Sequence, residues 1–258
     1  MPLNPPIREW SSQRVWIIGA SSGIGEATAR ALLARGAKVA LSARSRPPLE
    51  ALAQPHPERA LVAPLDITKP EQIDAAIAEI TSHWGGIDLA IVMAGTHRTV
   101  RAWELQAKDA RDLFEVNMMG VLGATAAILP VLLRQARGGI AIVSSVAGYG
   151  GLPTSLLYGA TKAALINFAE TLYLDLRPKG ISVYLINPGF VKTPLTDRNE
   201  FEMPALITAE EAAGEIISGL QRGAFEIHFP KRFTCWLKFL RLLPYRLYFA
   251  AVHRITGL

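Results

Sequence analysis

A single cysteine, Cys235, in a chain of 258 residues excludes an intramolecular disulfide and a thiolate-built metal centre. Charged residues make up only 19% against 50% hydrophobic ones, which excludes a strongly disordered composition. Acidic residues stop at Glu226, beyond which stand six basic ones: Lys231, Arg232, Lys238, Arg241, Arg246 and Arg254. Residues 1–226 therefore hold 21 basic and all 22 acidic side chains, a formal charge of −1, and the net +5 belongs to the tail. The opening MPLNPPIREW lacks the basic region and apolar run of a secretory leader, and no stretch reads as 18 to 20 consecutive apolar residues. The expectation is a soluble main domain in the cytoplasm, with peripheral membrane attachment left open.

What is present alternates between strand and helix. RVWIIGA (14–20), KVALSAR, ALVAPLDIT, IDLAIVMAG, GGIAIVSS, GISVYLINPG and AFEIHF are apolar strand candidates. Between them lie segments with helical spacing. One, after a Thr68/Glu71 capping box, carries Ile73, Ala76, Ile77 and Ile80. Another, at 209–221, follows Thr208 and Glu211 with the same signature. The stretch from Ala110 to Ala136 reads as a long helix that bends, and residues 157–178 read as a further helix rich in alanine and leucine. A parallel, doubly wound sheet between two helical layers is the economical solution, an α/β/α arrangement. The best boundary lies near Phe229, dividing a domain at 1–229 from a basic, amphipathic extension at 230–258.

The first strand runs into GASSGIG, so Gly19, Gly23 and Gly25 fall between a strand and a helix. Small residues let backbone approach a pyrophosphate, and a helix amino terminus favours its charge, which makes Gly19, Ser21, Ser22, Gly23, Ile24 and Gly25 candidate cofactor contacts in a Rossmann-like fold. Arg44 follows the second strand where an acid would receive a free ribose 2′-hydroxyl; an arginine there pairs with a 2′-phosphate, so NADP(H) is expected ahead of NAD(H). Asp66 fits two readings equally, an acceptor for the adenine amino group or a local turn partner.

Ser145 ends a strand candidate, and Tyr158 and Lys162 stand four residues apart on one helical face. A phenol ordinarily ionises near pH 10, so it works as a base near neutrality only beside a cation such as the Lys162 ammonium. Ser145 then holds the substrate oxygen while Tyr158 moves its proton. No metal site is needed.

These motifs together, GASSGIG, VSSVAG, YGATK and NPGFVKT, make residues 13–228 strongly resemble the classical branch of the short-chain dehydrogenase/reductase family. The resemblance implies that Ser145 orients the reacting oxygen, Tyr158 donates or accepts its proton, and Lys162 binds ribose and promotes the phenolate. It implies a water relay at Asn117, a nicotinamide-side turn at Pro188 and Gly189, cofactor contact from Thr193, and a homodimer or homotetramer using helical regions 107–136 and 158–177. Two positions depart from the family pattern. Ile18 stands where threonine is common, and VMAG stands where NNAG is common, so Ile18 and Met93 remove polar tethers. Ala94 and Gly95, beside the fourth strand, keep the pattern's small residues, and the resemblance makes them further candidate cofactor contacts.

Beyond the catalytic set, Phe190, Leu195, Phe201, Met203 and Leu206 are expected to line an apolar entrance for a hydrophobic carbonyl or alcohol substrate. In the tail, Trp236, Leu237, Phe239, Leu240 and Leu243 build an apolar helical surface, Pro244 interrupts it, and Tyr245, Leu247, Tyr248 and Phe249 continue it. Such a segment suits a lipid interface, the protein's own pocket or an oligomer partner; nucleic acid is the weakest fit, because no nucleic-acid module accompanies the charge. The sequence thus points to an NADP(H)-dependent enzyme interconverting a hydrophobic ketone and a secondary alcohol. The alternative is a nucleotide-responsive membrane adaptor with an inactive reductase pocket.

Overall fold

The computed structural model describes residues 2–197 and 203–257. Seven strands form one sheet: β1 (Arg14–Ile18), β2 (Lys38–Ser42), β3 (Ala60–Val62), β4 (Leu89–Val92), β5 (Gly139–Val143), β6 (Ser182–Pro188) and β7 (Glu226–Phe229). Their order is β3-β2-β1-β4-β5-β6-β7 and every neighbouring pair is parallel. Chain order reverses between β1 and β4, the position at which open α/β sheets bind ligands beyond their carboxyl ends.

The strands are apolar on both faces because both faces are covered. Val15, Ile17, Val39, Leu41 and Ile91 point into one core, against α1 (Gly23–Ala34), α2 (Arg46–Ala53) and α7 (Ala209–Gln221). Their alternates Trp16, Ile18, Ala40, Ala90 and Val92 point into the other, against α3 (Pro70–Trp84), α5 (Gly120–Gln135) and α6 (Leu156–Leu176). This is the three-layer α/β/α architecture expected from the sequence. The short helix α4 (Ala107–Phe114) continues through a π-type turn, Glu115–Met119, into α5, so the long helical region is one run interrupted at that turn.

Two expectations change. Helix α3 is not opened by a Thr68/Glu71 capping box: its N-cap is Lys69, without a side-chain cap, and Pro70 begins the helix. The Thr68 amide and hydroxyl instead donate to Asp66 Oδ1 at 3.0 and 2.9 Å, a local turn that outcompetes the cap. The box before α7 does form, with Glu211 N donating to Thr208 Oγ1 at 3.1 Å and Thr208 N to Glu211 Oε2 at 2.8 Å. The second change concerns Ala107–Gln135, which is long and apolar enough by length and composition to cross a membrane. Val121, Ala124, Ile128 and Leu132 on its inner face are buried in the core, as in a helix that covers a sheet.

At the amino ends of the strands, Arg14 and Asp88 clamp β1 to β4. Asp88 receives Arg14 Nε and Nη2 at 2.7 Å each and the Arg14 backbone amide at 3.0 Å, while Nη1 donates to the Trp84 carbonyl at 3.0 Å. The chain ends in two helices, α8 (Lys231–Arg241) and α9 (Tyr245–Thr256), broken at Pro244 as expected.

Candidate active site

The carboxyl ends of β1 and β4 meet at glycine. Gly19 has φ +105° and donates to the Ser42 carbonyl at 2.7 Å; a Cβ there would stand 2.8 Å from Ala94 N, so a side chain is excluded on both counts. At Gly25 a Cβ would lie 2.0 Å from the Gly19 carbonyl oxygen. The turn is therefore a closed backbone cradle leading into α1, whose N-cap Ser22 is extended and makes no side-chain cap. Among the described residues no side chain caps the first amides of α1 at its positive end, which suits a phosphate. Ser21 and Ile24 are partly buried in this turn, and Gly23 lies against the Thr193 side chain.

The departures at Ile18 and Met93 are filled by packing. Ile18 is buried in one core, Met93 packs against the other, and the Met93 amide donates to the Ile18 carbonyl at 2.8 Å. Main chain and van der Waals contact replace the polar tethers.

On the adenosine side, Arg44 is exposed and makes no ion pair with a described residue, whereas Arg46 pairs with Glu50 at 3.3 Å. The Thr68 backbone amide holds the Asp66 carboxyl below its ordinary range, assisted by the Thr68 hydroxyl and the positive charge of Arg44. One Asp66 oxygen is thereby committed to the turn reading.

Helix α6 brings the reactive side chains to the same edge. Ser144, last before the turn, donates to the Lys162 carbonyl at 2.7 Å and ties the end of β5 to α6. Lys162 is buried, its Nζ donating to the Val143 carbonyl at 3.0 Å and lying 5.6 Å from the Tyr158 ring centroid. Burial pulls this ammonium down to about 8. Burial also pushes the Tyr158 phenol up, partly opposed by the nearby Ser145 hydroxyl. Ser145 Oγ further accepts from Ala147 N at 3.1 Å and reaches the Pro188 carbonyl at 3.5 Å, linking the β5 turn to the end of β6. A Cβ on Gly95 would fall 3.6 Å from Lys162 Nζ, so Ala94 and Gly95 border the same space.

Asn117, on the π-type turn, is fully buried, and both ends of its amide hold Thr96, with Nδ2 also reaching Thr161 Oγ1 at 3.4 Å. Its Oδ1 accepts from Thr96 N and its Nδ2 donates to the Thr96 carbonyl, each at 2.8 Å. This braces the loop after β4 and holds His97, which the sequence reading missed, edge-on against Tyr158 with ring centroids 4.7 Å apart. Burial lowers the His97 imidazole below its ordinary value, keeping it neutral near pH 7. Its only sequence signal is its place two residues after Gly95.

Pro188 is buried, and Gly189 N donates to the Phe229 carbonyl at 2.7 Å. Phe190 stacks at a tilt on Phe233 of α8, 5.6 Å between centroids, so the extension takes part in the apolar wall. Leu195 and Met203 are partly buried and Leu206 exposed, while Phe201 lies outside the described residues. A bridge between Val191 and Ile207 closes the base of this loop.

Comparison with known proteins fits this geometry. The family described as short chain dehydrogenase matches residues 13–203. An uncharacterized oxidoreductase of Myxococcus xanthus is 35% identical over 250 residues, covering 96% of this chain and 99% of that protein. Another, from Staphylococcus epidermidis, is 33% identical over 204 residues, covering 79% and 89%. The crystal structure of a short-chain dehydrogenase from Streptomyces avermitilis superposes with a TM-score of 0.80 at 26% identity, covering 95% of this chain and 98% of that one. The chain belongs to the short-chain dehydrogenase family, whose members are NAD(P)(H)-binding oxidoreductases. Like the two relatives from Myxococcus and Staphylococcus, it is an oxidoreductase by descent.

Proposed function

We propose that this chain is an NADP(H)-dependent reductase that interconverts a hydrophobic ketone and its secondary alcohol. The observation that carries the reading is Tyr158 with the Lys162 ammonium 5.6 Å from its ring centroid and Ser145 at the end of the neighbouring strand, beside a turn where Gly19 and Gly25 admit no side chain. When bound, the dinucleotide supplies or accepts the hydride. Its pyrophosphate fits against Gly19, Ser21, Ser22, Gly23, Ile24 and Gly25, with Thr193, Pro188 and Gly189 on the nicotinamide side. Ser145 holds the substrate oxygen by its hydroxyl. Tyr158 gives that oxygen a proton in reduction and takes it back in oxidation. The Lys162 ammonium, fixed by the Val143 carbonyl, stabilises the phenolate left behind. Asn117 braces the loop after β4 through its side-chain amide, engaged by Thr96, and is the position at which a water relay to the reacting proton is expected.

The cofactor preference rests on Arg44, which is exposed and makes no ion pair with a described residue. Arg44→Asp is expected to weaken NADPH about 10- to 100-fold, the worth of a charge-assisted contact to phosphate, and to improve NADH. Separate KM values for the two reduced cofactors test it; an unchanged ratio removes Arg44 from recognition.

Phe190, Leu195, Met203 and Phe233 favour an apolar substrate. Exposed Met119 and Leu133 on α4–α5, with Leu156 and Leu174 on α6, suit self-association as a homodimer or homotetramer. The direct test is anaerobic NADPH consumption with short, aromatic, steroid-like and long-chain carbonyl compounds, with detection of the alcohol. Carbonyl-dependent turnover is expected. NADPH binding with no product across the panel overturns the reading in favour of an inactive, nucleotide-responsive adaptor.

A further inference from the structure

The two helices of the extension, Lys231–Arg241 and Tyr245–Thr256, turn one face inward. Leu240, Tyr248 and Val252 are buried together, the Tyr248 hydroxyl donates to the Gly151 carbonyl at 2.8 Å, and Lys238 pairs with Glu226. These contacts set which face remains outside. On it Trp236 stacks on Phe239 at 5.7 Å and Tyr245 on Phe249 at 5.6 Å. Leu242, at the corner between the helices, is 81% exposed. A water-facing helix surface has no use for so much apolar area unless something covers it.

The charges identify what covers it. Lys231, Arg232, Arg241, Arg246 and Arg254 are all exposed, and none forms an ion pair with a described residue. No acid follows Glu226, while residues 1–226 carry a formal −1, so the positive excess belongs to this segment. A second copy of the chain docking here by the same face would set these cations against themselves. Nucleic acid would leave aliphatic Leu242 and Leu247 without a base-stacking role. An anionic bilayer satisfies both features, taking aromatic and aliphatic side chains at headgroup depth and lipid phosphates against arginine and lysine.

We propose that the outer face of α8 and α9 docks on anionic phospholipid membranes as a peripheral anchor. The inference stands on this surface and is independent of the reaction assigned to the site.

Flotation of the full chain with phosphatidylcholine vesicles, with and without phosphatidylglycerol, tests it directly. The protein is expected to float with the anionic vesicles and to be released by added salt. Each exposed cation contributes roughly fivefold to partitioning, so Arg232→Glu with Arg246→Glu and Arg254→Glu is expected to weaken it at least about a hundredfold. Leu242→Ser with Phe249→Ser is expected to weaken it at unchanged charge. Both variants spare the Lys238–Glu226 and Tyr248–Gly151 contacts, and equal thermal melts check folding. Absence from the anionic vesicles, or equal flotation with neutral ones, overturns the proposal without recourse to any variant. So does an oligomer that Leu242→Ser with Phe249→Ser dissociates while flotation stays unchanged, or retention of nucleic acid in place of lipid.

Discussion

Tyr158→Phe is expected to lower kcat/KM for carbonyl reduction by about 10²- to 10⁴-fold, the contribution of a positioned proton donor, while leaving NADPH affinity near the wild-type value. The substitution removes one oxygen and keeps the ring, so the edge contact with His97 and the position of Lys162 over the ring survive. What disappears is the proton. Burial holds the Tyr158 phenol above its ordinary value and Ser145 only partly offsets this, so the unliganded site presents a neutral phenol at pH 7. A neutral phenol is the form that reduction needs. Lys162, pulled down to about 8, carries its charge below that pH and loses it above, so support for the phenolate weakens on the alkaline side. Single-turnover rates at saturating NADPH, with cofactor dissociation constants measured separately, distinguish chemistry from binding. A variant that turns over at the wild-type rate removes Tyr158 from the reaction.

Asp88→Ala is expected to cost about 3 kcal/mol of stability and leave the chemistry intact, because the clamp sits at the strand ends opposite the site. The side chains of Arg14 and Asp88 are only 15% and 13% exposed. Removing the carboxylate strands a largely buried guanidinium with the Trp84 carbonyl and releases the Arg14 amide as well. For a chain of this size the loss corresponds to roughly 6–12 °C in Tm. Burial pushes the Asp88 carboxyl up, but the Arg14 hydrogen bonds and charge outweigh it and hold the group below its usual range. Its stabilisation is therefore fully present above the unfolded value near about 4 and is lost as the pH falls through the lower folded value. Urea unfolding of both proteins at neutral and acid pH is expected to show a gap that closes in acid. Equal stability at neutral pH would contradict the clamp.

The strands were legible because period and length agree: seven apolar segments became seven parallel strands, the central ones buried on both faces and the edge strand β3 only partly buried. The ordered set Gly19, Ser145, Tyr158 and Lys162 was legible because strand ends and an i, i+4 pair fix neighbours locally. Features depending on competition between local partners were not. Thr68 offered the same signature as Thr208, and only the nearby Asp66 acceptor diverted it. The π-type turn at Asn117 leaves no mark in hydrophobic spacing, and the contact between His97 and Tyr158 joins a loop to a helix sixty-one positions away. The tail's period revealed an apolar surface without saying which side turned inward; Tyr248 and Gly151 decide that.

Glu226 gives the extension a second role. Its carboxylate accepts from the Tyr149 hydroxyl at 2.6 Å and from Asn187 Nδ2 at 2.8 Å, and it is neutralised by Lys238. Tyr149 lies just beyond the turn that carries Ser145, and Asn187 just before Pro188. One anion thus rivets the two walls of the pocket to α8. Cutting the chain after Phe229 would orphan that anion among groups that had shared it, so the extension and residue 226 form a matched pair: shedding the helices without also neutralising position 226 would loosen the walls that hold Ser145 and Pro188 in step.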